Sequence, residues 1–402
     1  MVSEVQDPSG DGKQRSVWLI AGESSGDLYG AGIAEAMRKS DPSLRIAGMG
    51  GVRMREAGVD ILVDSSELGV IGVVEVLGSL FKFIRILFFL IRQARKERPE
   101  AVVLIDYPGF NIRFARLLWR SGIPVIWYIS PQVWVWRKSN IPKYVRYCRK
   151  MIVIFPFEQE FWADTGMDAE FAGHPLLDIV RQRTDPALQR DPKRVLILPG
   201  SRKSEISRLL VPFMEAAAIL KKQHPDWTFA VSAPREKTYR DLEDILADHV
   251  RRHPDSDWPE VELTCRKTAY WMQIASAAFA ASGTVTVESA IAGLPLTVAY
   301  RLNPGTFLLA RLIIRKLYRG FFTMVNIILN RCAFEEFLQF QVTPEALADS
   351  LEKIMPGGSR RETVLRDMED LRAALKSGSG SALERAARII LETAGLAGNS
   401  RS

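Results

Sequence analysis

Cysteine is scarce in this chain. Only Cys148, Cys265 and Cys332 occur, an odd number set far apart, with no Cys-x-x-Cys spacing. That excludes a disulfide framework and a cysteine-built zinc site, and it reads as reduced thiols. Histidine is nearly as rare: His174, His224, His249 and His253. His249 and His253 have helical spacing, but no third ligand lies nearby and Pro254 follows at once, so no metal is expected. Long apolar runs are missing as well. The longest uncharged stretch, Thr268 to Val287, is rich in Ala, Ser, Thr and Gly. It reads as a helix end, a strand and a turn, not as a bilayer span. Residues 1–15 are polar and lack the apolar core of a signal peptide, so a disordered tail is expected there.

What is present describes a folded enzyme-sized chain. Its 402 residues favour two domains, and 47% hydrophobic residues can fill their cores. A net charge of +7 points to an anionic partner. Short apolar runs alternate with helical patterns. Strands fit Val17–Ala21, Ala101–Ile105, Val125–Ile129 and Met151–Phe155, then Arg194–Leu198, Trp227–Ser232, Ala277–Ala281 and Leu296–Tyr300. This alternation predicts two α/β domains with parallel sheets and a more helical C-terminal part. The expected domains are 16–185 and 186–375, with the charged stretch Asp178–Asp191 as linker. A last helix and tail, 376–402, are expected to follow Ser377-Gly378-Ser379-Gly380 and to pack back on the first domain.

Two glycine loops in the second half carry the strongest chemical signal. Leu198-Pro199-Gly200-Ser201-Arg202 follows one buried run, and Ser282-Gly283-Thr284, with Glu288 one turn on, follows another. A strand, a tight glycine turn and a helix leave backbone N–H groups aimed outward at the positive end of the helix dipole. Arg202 adds a cation, and the carboxylate of Glu288 suits vicinal hydroxyls. The set predicts a site for a ribose-bearing nucleotide diphosphate, with Arg301 as a second cation and Asn326 beyond it.

The first half carries further strand-end motifs. Gly22-Glu23-Ser24-Ser25-Gly26-Asp27 follows the first strand, but it is not a Gly-x-Gly-x-x-Gly fingerprint, so no dinucleotide cofactor is expected. It reads either as a capped turn or as the acceptor side of a cleft. Asp106-Tyr107-Pro108-Gly109-Phe110-Asn111 ends the run Ala101–Ile105. A part-buried carboxylate there would gain proton affinity and could act as general base; otherwise it is a helix cap. Trp134 and Trp136 beside Arg137 fit stacking on a sugar or apolar chain plus a phosphate contact, or two core indoles. His174, beside Pro175, is either a structural residue or a donor to the acceptor.

Two segments join basic and apolar residues. In Gly78–Glu97, Lys82, Arg85 and Arg92 share a narrow sector with Phe88 and Phe89 close by, a pattern suited to an anionic membrane interface. Thr306–Tyr318 repeats it, with Arg311 and Arg315 among Leu308, Leu309 and Leu312. Nucleic acid is less supported, because the basic residues accompany aliphatic bulk.

Taken together, the Gly22–Asp27 motif, the stretch Glu67–Leu77, Ile105–Asn111, Ser130–Arg137, Leu198–Arg202 and Ser282–Thr284 resemble the lipid-A-disaccharide synthase family in order and spacing, over about residues 16 to 395. The resemblance implies a GT-B fold: two Rossmann-like domains whose parallel sheets face a central cleft, with a helical C-terminal segment. It implies transfer of 2,3-diacylglucosamine from its UDP donor to 2,3-diacylglucosamine 1-phosphate (lipid X), with inversion, without cofactor or metal. The setting implied is the cytoplasmic face of the inner membrane of a Gram-negative bacterium, peripherally on anionic lipids, with a homodimer left open. On the matching positions, Asp106 is the expected base. Gly200, Ser201, Arg202, Ser282, Gly283, Thr284, Glu288, Arg301, Asn326, Glu336 and Gln339 form the donor side. Ser24, Gly26, Asp27, Asn111, Trp134, Trp136, Arg137 and His174 form the acceptor side. The chain departs from the family pattern at Met324-Val325, where Leu-Pro is usual, and at Asn330, where glycine is usual. Another GT-B enzyme on UDP-sugars, such as the lipid-linked peptidoglycan transferase or an epimerase, stays open, as does a lipid-binding protein that kept the fold. A ribose and diphosphate site speaks against the last.

Overall fold

The computed structural model describes residues 14–65, 76–133, 138–302 and 320–396, with side chains from residue 82 onward in the helix that opens at Val76. Trp134, Trp136, Arg137 and the basic segment Thr306–Tyr318 lie outside the described residues, as does most of Glu67–Leu77. The chain forms two compact units, one made of residues 14–175 and 377–396, the other of residues 176–376.

The first unit is built on seven strands: β1 (Ser16–Ala21), β2 (Arg45–Gly50), β3 (Asp60–Asp64), β4 (Ala101–Ile105), β5 (Val125–Tyr128), β6 (Lys150–Val153) and β7 (Ala169–Phe171). They pair in parallel in the order β3-β2-β1-β4-β5-β6-β7. Helices cover both faces, so β1 and β4 are buried along their whole length and read as unbroken apolar runs. Helix α1 (Ser24–Ser40) follows β1, α2 (Val52–Glu56) follows β2, and α3 (Val76–Glu97) leads into β4. Helices α4 (Pro108–Arg120), α5 (Ile141–Tyr147) and α6 (Pro156–Ala163) follow β4, β5 and β6.

The C-terminal helix Ala382–Thr393 belongs to this unit. Its buried residues Leu383, Ala386, Ala387 and Ile390 make one helical stripe. Gly32 of α1 makes room for it, since a Cβ there would meet Leu383 Cδ1 at 2.6 Å. The hydroxyl of Ser377 donates to Phe171 O at 2.7 Å and ties the returning chain to β7.

The second unit holds β8 (Arg194–Leu198), β9 (Thr228–Ala233), β10 (Val261–Cys265), β11 (Ala277–Ala281), β12 (Leu296–Tyr300) and β13 (Glu335–Leu338), all parallel, in the order β10-β9-β8-β11-β12-β13. It opens with α7 (Leu176–Arg183), which overlaps the start of the stretch Asp178–Asp191 expected as linker. Leu176 and Ile179 are buried one turn apart, so this charged segment still has a face to pack. Helix α8 (Lys203–Gln223) follows β8, α9 (Glu236–Arg252) follows β9, α10 (Thr268–Ile274) precedes β11, and α11 (Thr284–Ile291) follows β11.

Candidate functional site

Open parallel sheets bind ligands at the carboxyl ends of the strands where the strand order reverses. In the first unit that reversal lies between β1 and β4, in the second between β8 and β11. The glycine-bearing turn Gly22-Glu23-Ser24 and the turn Asp106-Tyr107 leave the first pair. Gly200-Ser201-Arg202 and Ser282-Gly283 leave the second.

At the first reversal, Asp106 and Tyr107 both take the left-handed backbone region, with φ of 46° and 48°. Two such residues in succession, neither a glycine, cost about 1–3 kcal/mol each. The turn is braced from three sides. The Asp106 amide donates to Tyr128 O at 3.0 Å. Asn111, fully buried, donates Nδ2 to Asp106 O at 2.7 Å and to Ile105 O at 3.3 Å. The Tyr107 ring lies where a side chain on Gly22 would stand, 2.2 Å from an added Cβ. Gly26 brings the first turn of α1 onto the strand ends, with Ala21 Cβ 3.2 Å from its own missing Cβ. The turn thereby holds the Asp106 carboxyl beside Glu23. Burial first, and then the Glu23 charge, raise its pKa from 3.8 to about 6, while a hydrogen bond from the Tyr107 backbone N–H opposes the shift.

Other acceptor-side residues have structural partners. The carboxylate of Asp27, also buried, accepts from the amides of Gly51 at 2.6 Å and of Arg53 and Met54 at 3.1 Å. It caps the N-terminus of α2. Ser24 stands exposed at the start of α1. His174 is buried against the Phe155 ring, and burial pushes its pKa down to about 3, so it is neutral at ordinary pH.

At the second reversal the two loops differ. Gly200 has a φ of 119°, which only glycine takes readily. The carboxylate of Glu205 folds back over the loop and accepts from the amides of Ser201 at 3.1 Å and Arg202 at 3.4 Å. Arg202, 71% exposed, reaches the same carboxylate at 3.1 Å. Glu205 therefore engages the very N–H groups and cation expected to meet a diphosphate. Arg235 and Thr238 hold the loop from behind through Ser201 O, at 3.2 Å and 3.4 Å. Gly283 shows the opposite condition. Its backbone is extended, with φ of 160° and ψ of −165°, and a Cβ there would meet nothing within 4 Å. Among the described residues neither conformation nor packing calls for glycine there. Ser282 binds back to Ala299 O through its amide at 3.2 Å, and Thr284 opens α11. Glu288, one turn into α11, stands 3.5 Å from Arg183.

The remaining donor-side residues form a brace. Glu336 on β13 accepts from the amides of Phe322 at 2.9 Å and Thr323 at 2.8 Å, from the Thr323 hydroxyl at 2.5 Å and from Asn326 Nδ2 at 2.8 Å. Asn326, fully buried, also exchanges bonds with the backbone of Phe334 at 2.7 Å and 2.9 Å. Arg301 donates to Val342 O at 2.6 Å, and Gln339 pairs with the backbone of Leu302 at 3.1 Å and 3.4 Å. The short helix Met324–Leu329 is capped by Thr323 and ends at Asn330 with φ of 51°. Asparagine is the commonest substitute for glycine in that left-handed cap, which accounts for the departure at this position. The replacement of Leu-Pro by Met324-Val325 is also accommodated, with Val325 buried in that helix.

Helix α3 has two faces. Leu87, Leu90, Ile91 and Ala94 are buried in the core of the first unit. Ile84, Phe88 and Phe89 are exposed, Phe88 by 62%, beside exposed Lys82, Arg85 and Arg92. No helix among the described residues is long and apolar enough to cross a membrane, and none of their His, Cys, Asp and Glu cluster as a metal site.

Sequence reading missed Glu205, although a Glu three residues past the helix cap is a recognised pattern. It also missed the part played by Glu23, which only the pairing of β1 with β4 brings beside Asp106.

Comparisons with known proteins agree with this architecture. Solved structures share the fold at low identity. A UDP-bound Staphylococcus aureus protein, MnaA, has a TM-score of 0.64 at 11% identity over 95% of this chain and 97% of its own. The UDP-GlcNAc 2-epimerase of Neisseria meningitidis scores 0.59 at 12% identity, over 94% and 99%. A Medicago truncatula protein complexed with UDP-glucose scores 0.57 at 13% identity, over 96% and 100%. Sequence relatives are nearer. The lipid-A-disaccharide synthase of Koribacter versatilis is 37% identical over 94% of this chain and 98% of its own length. Those of Geobacter sulfurreducens and Coxiella burnetii are 35% and 34% identical, each over 94% of this chain and at least 97% of their own. The family model for lipid-A-disaccharide synthetase matches residues 17–390, and the chain belongs to that glycosyltransferase family.

Proposed function

We propose that this glycosyltransferase moves 2,3-diacylglucosamine from its UDP derivative to 2,3-diacylglucosamine 1-phosphate, giving a β-1,6-linked disaccharide 1-phosphate and UDP. The observation that carries the reading is Asp106: a braced carboxyl with raised proton affinity at the reversal between β1 and β4. The acceptor 6-hydroxyl gives its proton to Asp106 as its oxygen bonds to the anomeric carbon. The bond from that carbon to the diphosphate oxygen breaks, and UDP leaves with the electron pair. A base near neutral pKa is suited to this proton transfer. Arg202 and the amides of Gly200 and Ser201 receive the charge on the leaving diphosphate once Glu205 releases Arg202 and the Ser201 amide. The bare backbone at Gly283 admits the nucleotide at the N-terminus of α11, and Glu288 takes the ribose hydroxyls. Arg301, Asn326, Glu336 and Gln339 shape the donor side through the brace around Phe322–Val342 rather than by bonding the donor themselves.

The exposed Ile84, Phe88 and Phe89, with Lys82, Arg85 and Arg92 around them, favour peripheral contact with an anionic bilayer, at the cytoplasmic face of the inner membrane. Incubation with the UDP donor and the acceptor 1-phosphate tests the whole reading. Disaccharide and UDP are expected in equal amounts; release of free sugar, epimerised donor or nothing would overturn it.

A further inference from the structure

We propose that a cavity between α4 and α5 takes an acyl chain of a phosphorylated lipid acceptor, and that Arg113, Arg116 and Lys143 at its wall hold the phosphate. The proposal deepens the reading above and rests on it for the identity of the lipid.

The cavity has a volume of about 510 Å³, within the usual range for sites that bury a small ligand. Its wall begins two residues beyond Asp106, at Pro108 and Gly109, and runs through Ile112 and Val133 to Tyr144 and Tyr147. An apolar lining this close to the base suits a chain attached to the sugar whose hydroxyl reacts. Beside the neutral Gln132 and Asn140, every charged residue of the wall is a cation. Arg113 and Arg116 project from α4 one turn apart, and Lys143 faces them from α5. None of the three makes an ion pair among the described residues. Arg113 donates to Gly109 O, and Lys143 to Asn140 Oδ1 at 2.8 Å. Neither helix carries a single Asp or Glu, while Arg120 and Arg146 extend the positive surface. An apolar hollow with an unpaired basic wall matches an amphiphile with an anionic head, and neither a neutral lipid nor a free nucleotide.

Gly109 is a second, independent sign. It lies inside the first turn of α4, where glycine weakens a helix. It has no positive φ, and a Cβ there would meet nothing within 4 Å. Nothing among the described residues calls for glycine at this place, whereas a guest in the cavity would.

The test is calorimetric titration with dodecyl phosphate kept below its micelle threshold, against dodecanol and inorganic phosphate. Wild type is expected to bind dodecyl phosphate saturably and the two fragments at least about tenfold more weakly. Gly109→Leu, which fills the cavity wall without strain, is expected to weaken dodecyl phosphate about tenfold or more while UDP affinity and melting temperature hold. Arg116→Glu, a change at an exposed residue of the wall, is expected to erase the preference for the phosphate over the alcohol. Retention of wild-type affinity by Gly109→Leu would overturn the proposal. So would a pattern in which Arg116→Glu lowers binding to anionic vesicles and dodecyl phosphate alike while Gly109→Leu changes neither, since the basic wall would then serve a bilayer surface. If wild type binds dodecyl phosphate as expected but transfers no sugar, the transferase reading fails and the cavity stands. If sugar transfer proceeds and Gly109→Leu keeps its acceptor KM, the cavity alone fails.

Discussion

Replacing Asp106 by Asn is expected to give an inactive transferase that is more stable than the wild type at neutral pH. The fold raises the carboxyl pKa from 3.8 to about 6, because it is buried and stands beside Glu23. A rise of that size corresponds to about 3 kcal/mol of differential interaction between the two protonation states. Between those two pH values the folded state holds more protons at this group than the unfolded state. Stability from this group is therefore full below pH 4 and is lost as pH rises through about 6. At pH 8 the folded protein carries an ionised Asp106 at a cost of up to about 3 kcal/mol, and the uncharged amide of Asn avoids it. Asparagine also accepts the left-handed backbone at this position, so the substitution adds no strain of its own.

Urea unfolding of both proteins at pH 4.5 and pH 8 measures this. The variant is expected to gain about 1–3 kcal/mol on wild type at the higher pH and little at the lower. Parallel pH profiles of stability in the two proteins would refute the argument that the site stores unfavourable charge. Activity gives the matching result. The acid limb of kcat/KM is expected near pH 6 in wild type, and Glu23→Gln, which removes the like charge, should move it to lower pH. A limb that stays in place would assign the shift to burial alone.

Three further outcomes follow from the geometry. Glu205→Ala is expected to lose about 1 kcal/mol of stability with its cap on α8, yet to bind UDP more tightly by calorimetry, because it no longer competes for the amides of Ser201 and Arg202. Weaker UDP binding would sink the idea of a displaced carboxylate. Asn330→Val should cost about 1–2 kcal/mol in a thermal melt, and Asn330→Gly almost nothing, since the position is left-handed. Changing Lys82, Arg85 and Arg92 together to Glu should reduce sedimentation with anionic vesicles and leave the melt unaltered; undiminished sedimentation would assign α3 to the core alone.

The fold was legible where strands are buried on both faces. Val17–Ala21, Ala101–Ile105 and Ala277–Ala281 stand within a residue of β1, β4 and β11, because a parallel strand covered by helices must be apolar throughout. The strands that escaped notice are near the sheet edges. β2 contains Gly48, whose φ of 144° and closeness to the Leu19 carbonyl suit a backbone contact rather than a side-chain pattern. β10 and β13 are part-exposed and carry Glu262, Glu335 and Glu336, so neither shows an apolar run. The site was legible as loops but not as partnerships. Asp27 stood out after a strand end, and Glu336 only through the family resemblance, yet their bonds run to backbone and side-chain groups brought near by the fold. No spacing in the chain shows that Glu336 will gather four donors from Phe322, Thr323 and Asn326.

The two strand-order reversals give one architecture two opposite electrical environments. Each provides a parallel strand, a tight turn and the positive end of a helix, which by itself favours anions. At β8 and β11 that tendency is kept and strengthened: Arg202 stands at the cap of α8, and Glu205 fills the loop as an anion of the protein's own. At β1 and β4 it is countered. Glu23 occupies the cap position of α1 and Asp106 precedes α4, so two carboxylates share the strand ends, and burial penalises the charge on Asp106. A leaving diphosphate needs the first condition and a proton acceptor needs the second. The left-handed turn at Asp106-Tyr107 is what makes the difference, because an ordinary helical entry would point the carboxyl at the amides of α4 and lower its proton affinity. In the proposed reaction the strain at that turn and the burial of its charge work together: the first sets where the carboxyl stands, the second raises its proton affinity, and both lower the stability of the fold.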